Sequence, residues 1–234
     1  MAIIIHIETS AEVCSVALSD NTDIIGEVHS LQPRSHASEL AVLIDKILRN
    51  NKIGASSLSA VSVSKGPGSY TGLRIGVSTA KGLCYGAGLP LITIDTLLAL
   101  ANGGLQQLLT DHKPVKDGLL CPMLDARRME VYAALYSSEL NLIRPTDAVI
   151  ITPESFKQEL DEKKVYFFGP GAAKCKEIIC HENACFLDGI EPSALNMVPF
   201  AVKAFKNKQF ANLAYFEPFY LKDFVATKPK RKVL

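Results

Sequence analysis

One stretch governs what this chain can fold into: Lys65 to Leu83, KGPGSYTGLRIGVSTAKGL. A strand-like alternation, Ala60-Val61-Ser62-Val63-Ser64, precedes it, and an apolar run, Leu89 to Ile94, follows. Gly66, Pro67 and Gly68 specify a tight turn. Ser69 or Thr71 then caps a helix reaching about Tyr85. Two rows of small residues recur along it at four-residue spacing, each on one face: Gly72, Gly76 and Ala80, then Ser78, Gly82 and Gly86. Glycine costs a helix about 0.5–1 kcal/mol against alanine, so several in one helix need a reason. Either another backbone packs close against the helix, or the loop before it cradles an anion with its N–H groups. The small-residue rows favour close packing. No Gly-Lys-Ser/Thr follows the turn, as a phosphate loop requires, and Ser69 lacks the Gly-x-Ser-x-Gly setting of a nucleophile elbow.

At 234 residues the chain suits one large domain or two small ones. A net charge of +1 makes no overall case for nucleic acid or membrane. Six scattered cysteines read as free thiols in a reducing compartment. The N-terminal apolar run is ended by His6 and Glu8, too short for a signal peptide or membrane span. A soluble cytoplasmic protein is expected.

In chain order, Ile3 to Glu8, Val13 to Ser19 and Ile24 to Ser30 read as three strands. Ser35 opens a helix with Leu40, Leu43, Ile44, Ile47 and Leu48 on one face. The strand at 60–64, the small-residue helix and the strand at 90–94 form a βαβ unit with a right-handed crossover. Asp95 or Thr96 caps a helix expected to stop at Gly103-Gly104. The second half repeats the order: strands at Leu119 to Asp125, Glu130 to Ser137 and Leu142 to Ile151, the last broken near Pro145. Thr152-Pro153 starts a helix to Glu162, and Val165 to Phe168 is a fourth strand. Gly169-Pro170-Gly171 then repeats the tripeptide of Gly66 to Gly68, and a helix to about Cys180, a weak strand at Ala184 to Leu187 and a helix from Ser193 to Lys206 follow. Two β-β-β-α-β-α-β-α units resemble tandem ribonuclease-H-like domains of the actin, sugar-kinase and heat-shock-protein superfamily, an α/β class, the second reduced. The expected division is 1–104, 105–216 and a basic tail, 217–234. In that superfamily acidic residues ending the first strand of each half help hold nucleotide phosphates and magnesium; Glu8 and Asp125 stand at those places.

Lys65 to Gly76 resembles the signature of the TsaB (YeaZ) family. Glu8-Thr9-Ser10 with Cys14 to Leu18 is similar to that family's opening, with glutamate where aspartate is usual. Asp125-Ala126-Arg127-Arg128 with Glu130-Val131-Tyr132 resembles its second hairpin, and Pro218 to Leu221 with Val225-Ala226 its tail. The resemblance implies a role in making N6-threonylcarbamoyladenosine at position 37 of tRNA. Its members are non-catalytic paralogues of the transferase TsaD, which they bind; the ATPase TsaE joins the pair, and TsaC supplies the adenylate. The paired histidines of TsaD-like proteins fall at Thr96 and Leu100 here, residues that cannot replace two imidazoles on a metal.

A two-helix face, 36–49 with 71–85, is therefore expected to build a four-helix bundle with TsaD. Its candidates are His36, Leu40, Leu43, Ile47, Tyr70, Thr71, Gly72, Leu73, Gly76, Thr79 and Ala80. A bulky residue at Gly76 is expected to abolish binding with the fold intact, and the same face predicts a homodimer when the chain is free. His36 reads as a surface residue near the helix start. Glu8, Thr9, Ser10, Gly68, Ser69, Arg127 and Arg128 are the candidates for nucleotide or phosphate contact. The second hairpin lacks phosphate-binding glycines, so ATP or ADP is expected only at the junction with TsaD. Cys175, Cys180, His181 and Cys185 match no usual zinc spacing, and the three cysteines read as buried or half-buried thiols. Lys228 to Lys232 reads as a solvated terminus, with tRNA met only through the complex. The alternatives are a metal-dependent peptidase, disfavoured by the missing histidines and by the absence of His-Glu-x-x-His, and a small-molecule kinase.

Overall fold

The structure is a computed structural model and describes residues 2–30, 32, 35–113 and 115–222. Lys228 to Lys232 and Val225-Ala226 lie outside the described residues. The first half runs β1 (Ile3–Glu8), β2 (Ser15–Asp20), β3 (Asp23–His29), α1 (His36–Asn50), β4 (Ala60–Ser64), α2 (Tyr70–Ala87), β5 (Leu91–Ile94) and α3 (Thr96–Thr110). The second runs β6 (Leu119–Asp125), β7 (Glu130–Tyr136), β8 (Leu142–Ile150), α4 (Lys157–Glu162), β9 (Val165–Phe168), β10 (Ala184–Phe186) and α5 (Val198–Lys206). The sheets are ordered β3-β2-β1-β4-β5 and β10-β9-β6-β7-β8. In each, an antiparallel meander lies on one side of the first strand and parallel strands on the other. The tandem ribonuclease-H-like order holds.

The i, i+3, i+4, i+7, i+8 face of α1 is buried against Ile5, Ile7, Val16, Val61 and Val63, beside Val77, Ala80 and Cys84 of α2. The opposite face of that sheet, Ile4, Ala60, Ile92 and Ile94, is covered by Ala99 of α3 and by Val198, Ala201 and Val202 of α5. The last helix thus returns to the first sheet. Leu97, Leu100 and Leu108 of α3 pack instead on Leu120, Leu124 and Phe168 of the second sheet. Lying between two sheets, α3 is buried over most of its length and carries no charged residue, with Gln106, Gln107 and Thr110 exposed near its end.

Three expected boundaries move. Gly103-Gly104 does not end α3, which runs on to Thr110. A Cβ on Gly103 would lie 2.5 Å from Nδ2 of Asn196, and one on Gly104 would enter the Phe168 ring, so these glycines admit neighbours rather than a break. Thr152-Pro153 does not open α4; Ser155 Oγ takes the Thr152 N–H at 2.9 Å, and Phe156 turns left-handed before the helix starts at Lys157. The segment after Gly171 makes only a short 3-10 turn, Ala173–Cys175, instead of a helix to Cys180. Strand β8 passes Pro145 unbroken, with the register shifting between Ala133 and Leu135 of β7, as an edge strand permits. No helix of the described residues is long and apolar enough to cross a membrane.

Candidate functional site

Strand β4 delivers the chain into the Gly66-Pro67-Gly68 turn, with a cis Gly66–Pro67 bond and Gly66 at φ 109°. Ser69 caps α2: its Oγ accepts the Gly72 N–H at 3.2 Å. The inside of the turn is filled by the chain itself. Ser69 N donates to the Ser10 carbonyl at 2.7 Å, and a Cβ on Gly68 would stand 2.6 Å from that of Ser10. On α2, a Cβ on Gly72 would run into the Thr9 carbonyl, and one on Gly76 into the Thr9 side chain, with Cγ2 at 3.1 Å. The first small-residue row therefore receives the Thr9-Ser10 turn at the end of β1. Glu8 is buried beneath, where Oε1 accepts from Ser10 N at 2.6 Å and Ser64 Oγ at 2.9 Å. Burial raises its pKa, and these hydrogen bonds pull the other way.

The anion-cradle candidates Glu8, Thr9, Ser10, Gly68 and Ser69 are thus brought together, but on one another. Most of the expected partner face is likewise spent internally. His36, Leu40, Leu43, Ile47, Gly72, Leu73, Gly76 and Ala80 are all buried within this chain. His36 is not a surface residue: its Nε2 meets the Ala11 carbonyl at 3.0 Å, and burial lowers its pKa. Thr71 is exposed, with Tyr70 and Thr79 half-buried. The second row of α2 behaves differently. Ser78, Gly82 and Gly86 face outward, and nothing lies within 4 Å of a Cβ on either glycine. Beside them Tyr85 is 85% exposed, and Val42 of the adjacent α1 is 62% exposed. The available face is this outer one.

At the second hairpin Arg127 and Arg128 are exposed and both left-handed, at φ 69° and 50°. Asp125 accepts the Arg127 N–H at 2.8 Å and pairs with the Lys174 ammonium. That ammonium also donates to the carbonyls of Arg128 at 2.8 Å and Glu130 at 2.7 Å. Lys174 thus pairs with the Asp125 carboxylate that the superfamily resemblance would give to magnesium. Of the Cys175 group, Cys175 is buried against the Gly171 carbonyl, Cys185 is half-buried, and Cys180 is exposed, contrary to expectation. His181 turns to Asn183 N at 3.1 Å and to Asp161 at 3.4 Å. Thr96 is buried, its Oγ1 accepting the Gly66 N–H at 3.1 Å, and Leu100 is core.

Sequence reasoning missed the segment 211–222, a strap joining the two halves. Ala211 N donates to Leu91 O at 2.8 Å, and Phe219 N to Lys65 O at 2.7 Å. Lys81 holds the carbonyls of Ala214 and Phe216, Tyr220 packs on Tyr70 with centroids 4.7 Å apart, and Lys222 pairs with Glu130. A Cβ on Gly66 would lie 2.6 Å from the Phe219 carbonyl. Gly66→Ala is expected to release the strap, because the new methyl and a strained φ both oppose that contact. Left-handed strain of order 1–3 kcal/mol should speed tryptic cleavage after Lys222 about tenfold, read by mass spectrometry. An unchanged rate would contradict the contact.

The family model described as TsaD, tRNA N6-adenosine threonylcarbamoyltransferase, matches residues 16–230. The tRNA threonylcarbamoyladenosine biosynthesis protein TsaB of Escherichia coli (strain K12) is 31% identical to this chain, over 96% of both chains. The protein of the same name from Haemophilus influenzae is 28% identical over 96% of this chain and 95% of its own. The solved structure of YeaZ from Pseudomonas aeruginosa shares the fold, with a TM-score of 0.79 at 22% identity over 94% of this chain and all of that one, 100%. The chain belongs to the TsaB (YeaZ) family, within the wider group described by the TsaD family model.

Proposed function

We propose that this chain is a non-catalytic subunit of tRNA N6-threonylcarbamoyladenosine synthesis, which binds TsaD and is required for threonylcarbamoyl transfer to adenosine 37. The observation that carries this is likeness along 96% of the chain to a protein named for that biosynthesis. The burial of Thr96 and Leu100 supports a non-catalytic role, since core positions replace the two imidazoles that the resemblance assigns to TsaD. The docking face is the outer side of α1 and α2, around Gly82, Tyr85 and Val42, where small and apolar residues stand open. The same face pairs two copies when TsaD is absent. TsaE joins the pair, TsaC feeds it, and any ATP or ADP sits at the junction with TsaD.

The test is reconstituted tRNA modification with TsaC, TsaD and TsaE. Omitting this chain should reduce product to background. Gly82→Trp should lower transfer and co-elution with TsaD at least tenfold, the consequence of more than about 1.4 kcal/mol lost at a close helix contact. Its circular dichroism should be unchanged, since the position faces open space. Full transfer without the chain would refute the proposal.

A further inference from the structure

Between α2 and the second hairpin, a pair of packed tyrosine rings lies in line with four cations, one before it and three after it. The Arg74 guanidinium lies 5.5 Å from the Tyr70 ring centroid and donates to its hydroxyl at 3.4 Å. Tyr70 packs on Tyr220 at 4.7 Å, tilted by 37°. Two residues of strap, spanning at most about 7 Å, lead to Lys222, which reaches Glu130. Glu130 in turn closes the hairpin, its N–H donating to the Arg127 carbonyl at 3.2 Å, so the path continues to Arg127 and Arg128. Of its acidic neighbours, Glu130 is paired with Lys222 and Asp125 with Lys174, while Glu217 acts on Tyr220; the two guanidiniums at the far end are exposed.

We infer that this path, Arg74–Tyr70–Tyr220–Lys222–Arg127–Arg128, is a binding site for a single-stranded RNA segment, such as a hairpin loop. Ring faces accept any base by stacking, and the cations flanking them meet successive phosphates. A protein partner is a poorer fit, because interface cores deplete charge, whereas here four cations accompany two rings. A mononucleotide is shorter than the path. The inference deepens the proposed function only in taking the RNA to be tRNA; the surface chemistry stands without it.

The experiment uses the full chain with TsaD and a fluorescein-labelled RNA hairpin carrying a single-stranded loop, read by anisotropy. Tyr220→Ala should weaken binding about tenfold, the loss of one stacked base, while Tyr220→Phe keeps the ring and the affinity. The double variant Arg127→Ala/Arg128→Ala should lower the slope of log affinity against log salt by about two. In the unaltered complex, a thiouridine-substituted loop should crosslink to the peptide containing Tyr220, a readout that survives any folding failure of the variants. Crosslinks confined to other surfaces, or affinity unmoved in both variants, would overturn the inference. So would a Tyr220→Ala chain that loses TsaD but keeps RNA, or displacement of the hairpin by AMP at equal concentration. Co-elution of the unaltered chain with TsaD is read in the same samples, so failure of pairing and failure of RNA contact are told apart.

Discussion

Gly72→Ala is expected to cost the isolated chain about 3 kcal/mol, read as a fall in the urea midpoint at constant slope. The added methyl meets the Thr9 carbonyl, a backbone atom fixed at the end of β1 by the pairing of Ile7 with Val16 and Val63. It cannot swing aside as a side-chain tip would. For a chain of this size the loss corresponds to roughly 10 °C in melting temperature. Gly76→Val should behave alike, because the Thr9 side chain it strikes is fully buried in a close-packed interior. Gly82→Ala should go the other way. It has open space and a helical backbone, so alanine gains up to about 1 kcal/mol of helix propensity. A Gly72→Ala chain as stable as the unaltered one would mean that Thr9 does not seat on α2. The expectation that a bulky residue at Gly76 spares the fold while blocking TsaD is therefore withdrawn, and Gly82 takes its place as the probe of pairing.

That reversal shows what the sequence could and could not carry. The four-residue spacing of Gly72, Gly76 and Ala80 demanded a close neighbour, and there is one. The neighbour is Thr9, brought in by a β1–β4 pairing that local spacing does not encode. The row of Ser78, Gly82 and Gly86 has the same period and lies open, so composition alone could not say which row was inward. The apolar stripe of α1 had the same defect: periodicity places Leu40, Leu43 and Ile47 on one face without saying whose core they enter. The element order was legible because strands and helices differ in period. The glycine pair in α3 misled because a helix end and a close packing contact both call for glycine. The repeated Gly-Pro-Gly gives both turns a positive φ, at Gly66 and Gly169. Only the first is followed by a Ser69 cap and a long helix, whereas Lys174 after the second is drawn to the hairpin. The strap at 211–222 has no period at all, since backbone groups and single side chains hold it.

The largest pH effects are expected from β1, whose alternate residues place His6 and Glu8 on the face away from Ile5 and Ile7. His6 is fully buried, its Nε2 on Ser19 Oγ at 3.0 Å, and burial lowers its pKa to about 3. Its neutral form is the folded form. The stability this carries is present above its unfolded value near 6.5 and is lost as pH falls toward 3, at about 1.4 kcal/mol per pH unit. Over that window the loss is of order 4–5 kcal/mol, a large share of a typical stability. Glu8 has the opposite sign. Burial raises its pKa above 4.5, so its contribution is complete below 4.5 and is lost as pH rises through the higher folded value. In mildly acid solution the two slopes oppose each other, and the unaltered chain should show a shallow profile there. Single variants should separate them in urea titrations across pH. His6→Gln removes the acid-side loss, leaving a chain whose stability rises as pH falls toward 4.5. Glu8→Gln exposes the full His6 slope and should make the chain more resistant to urea at neutral pH, where the buried carboxyl no longer opposes folding. A Glu8→Gln chain that is weaker at neutral pH would mean that Ser10 and Ser64 hold the charged carboxylate more strongly than burial disfavours it.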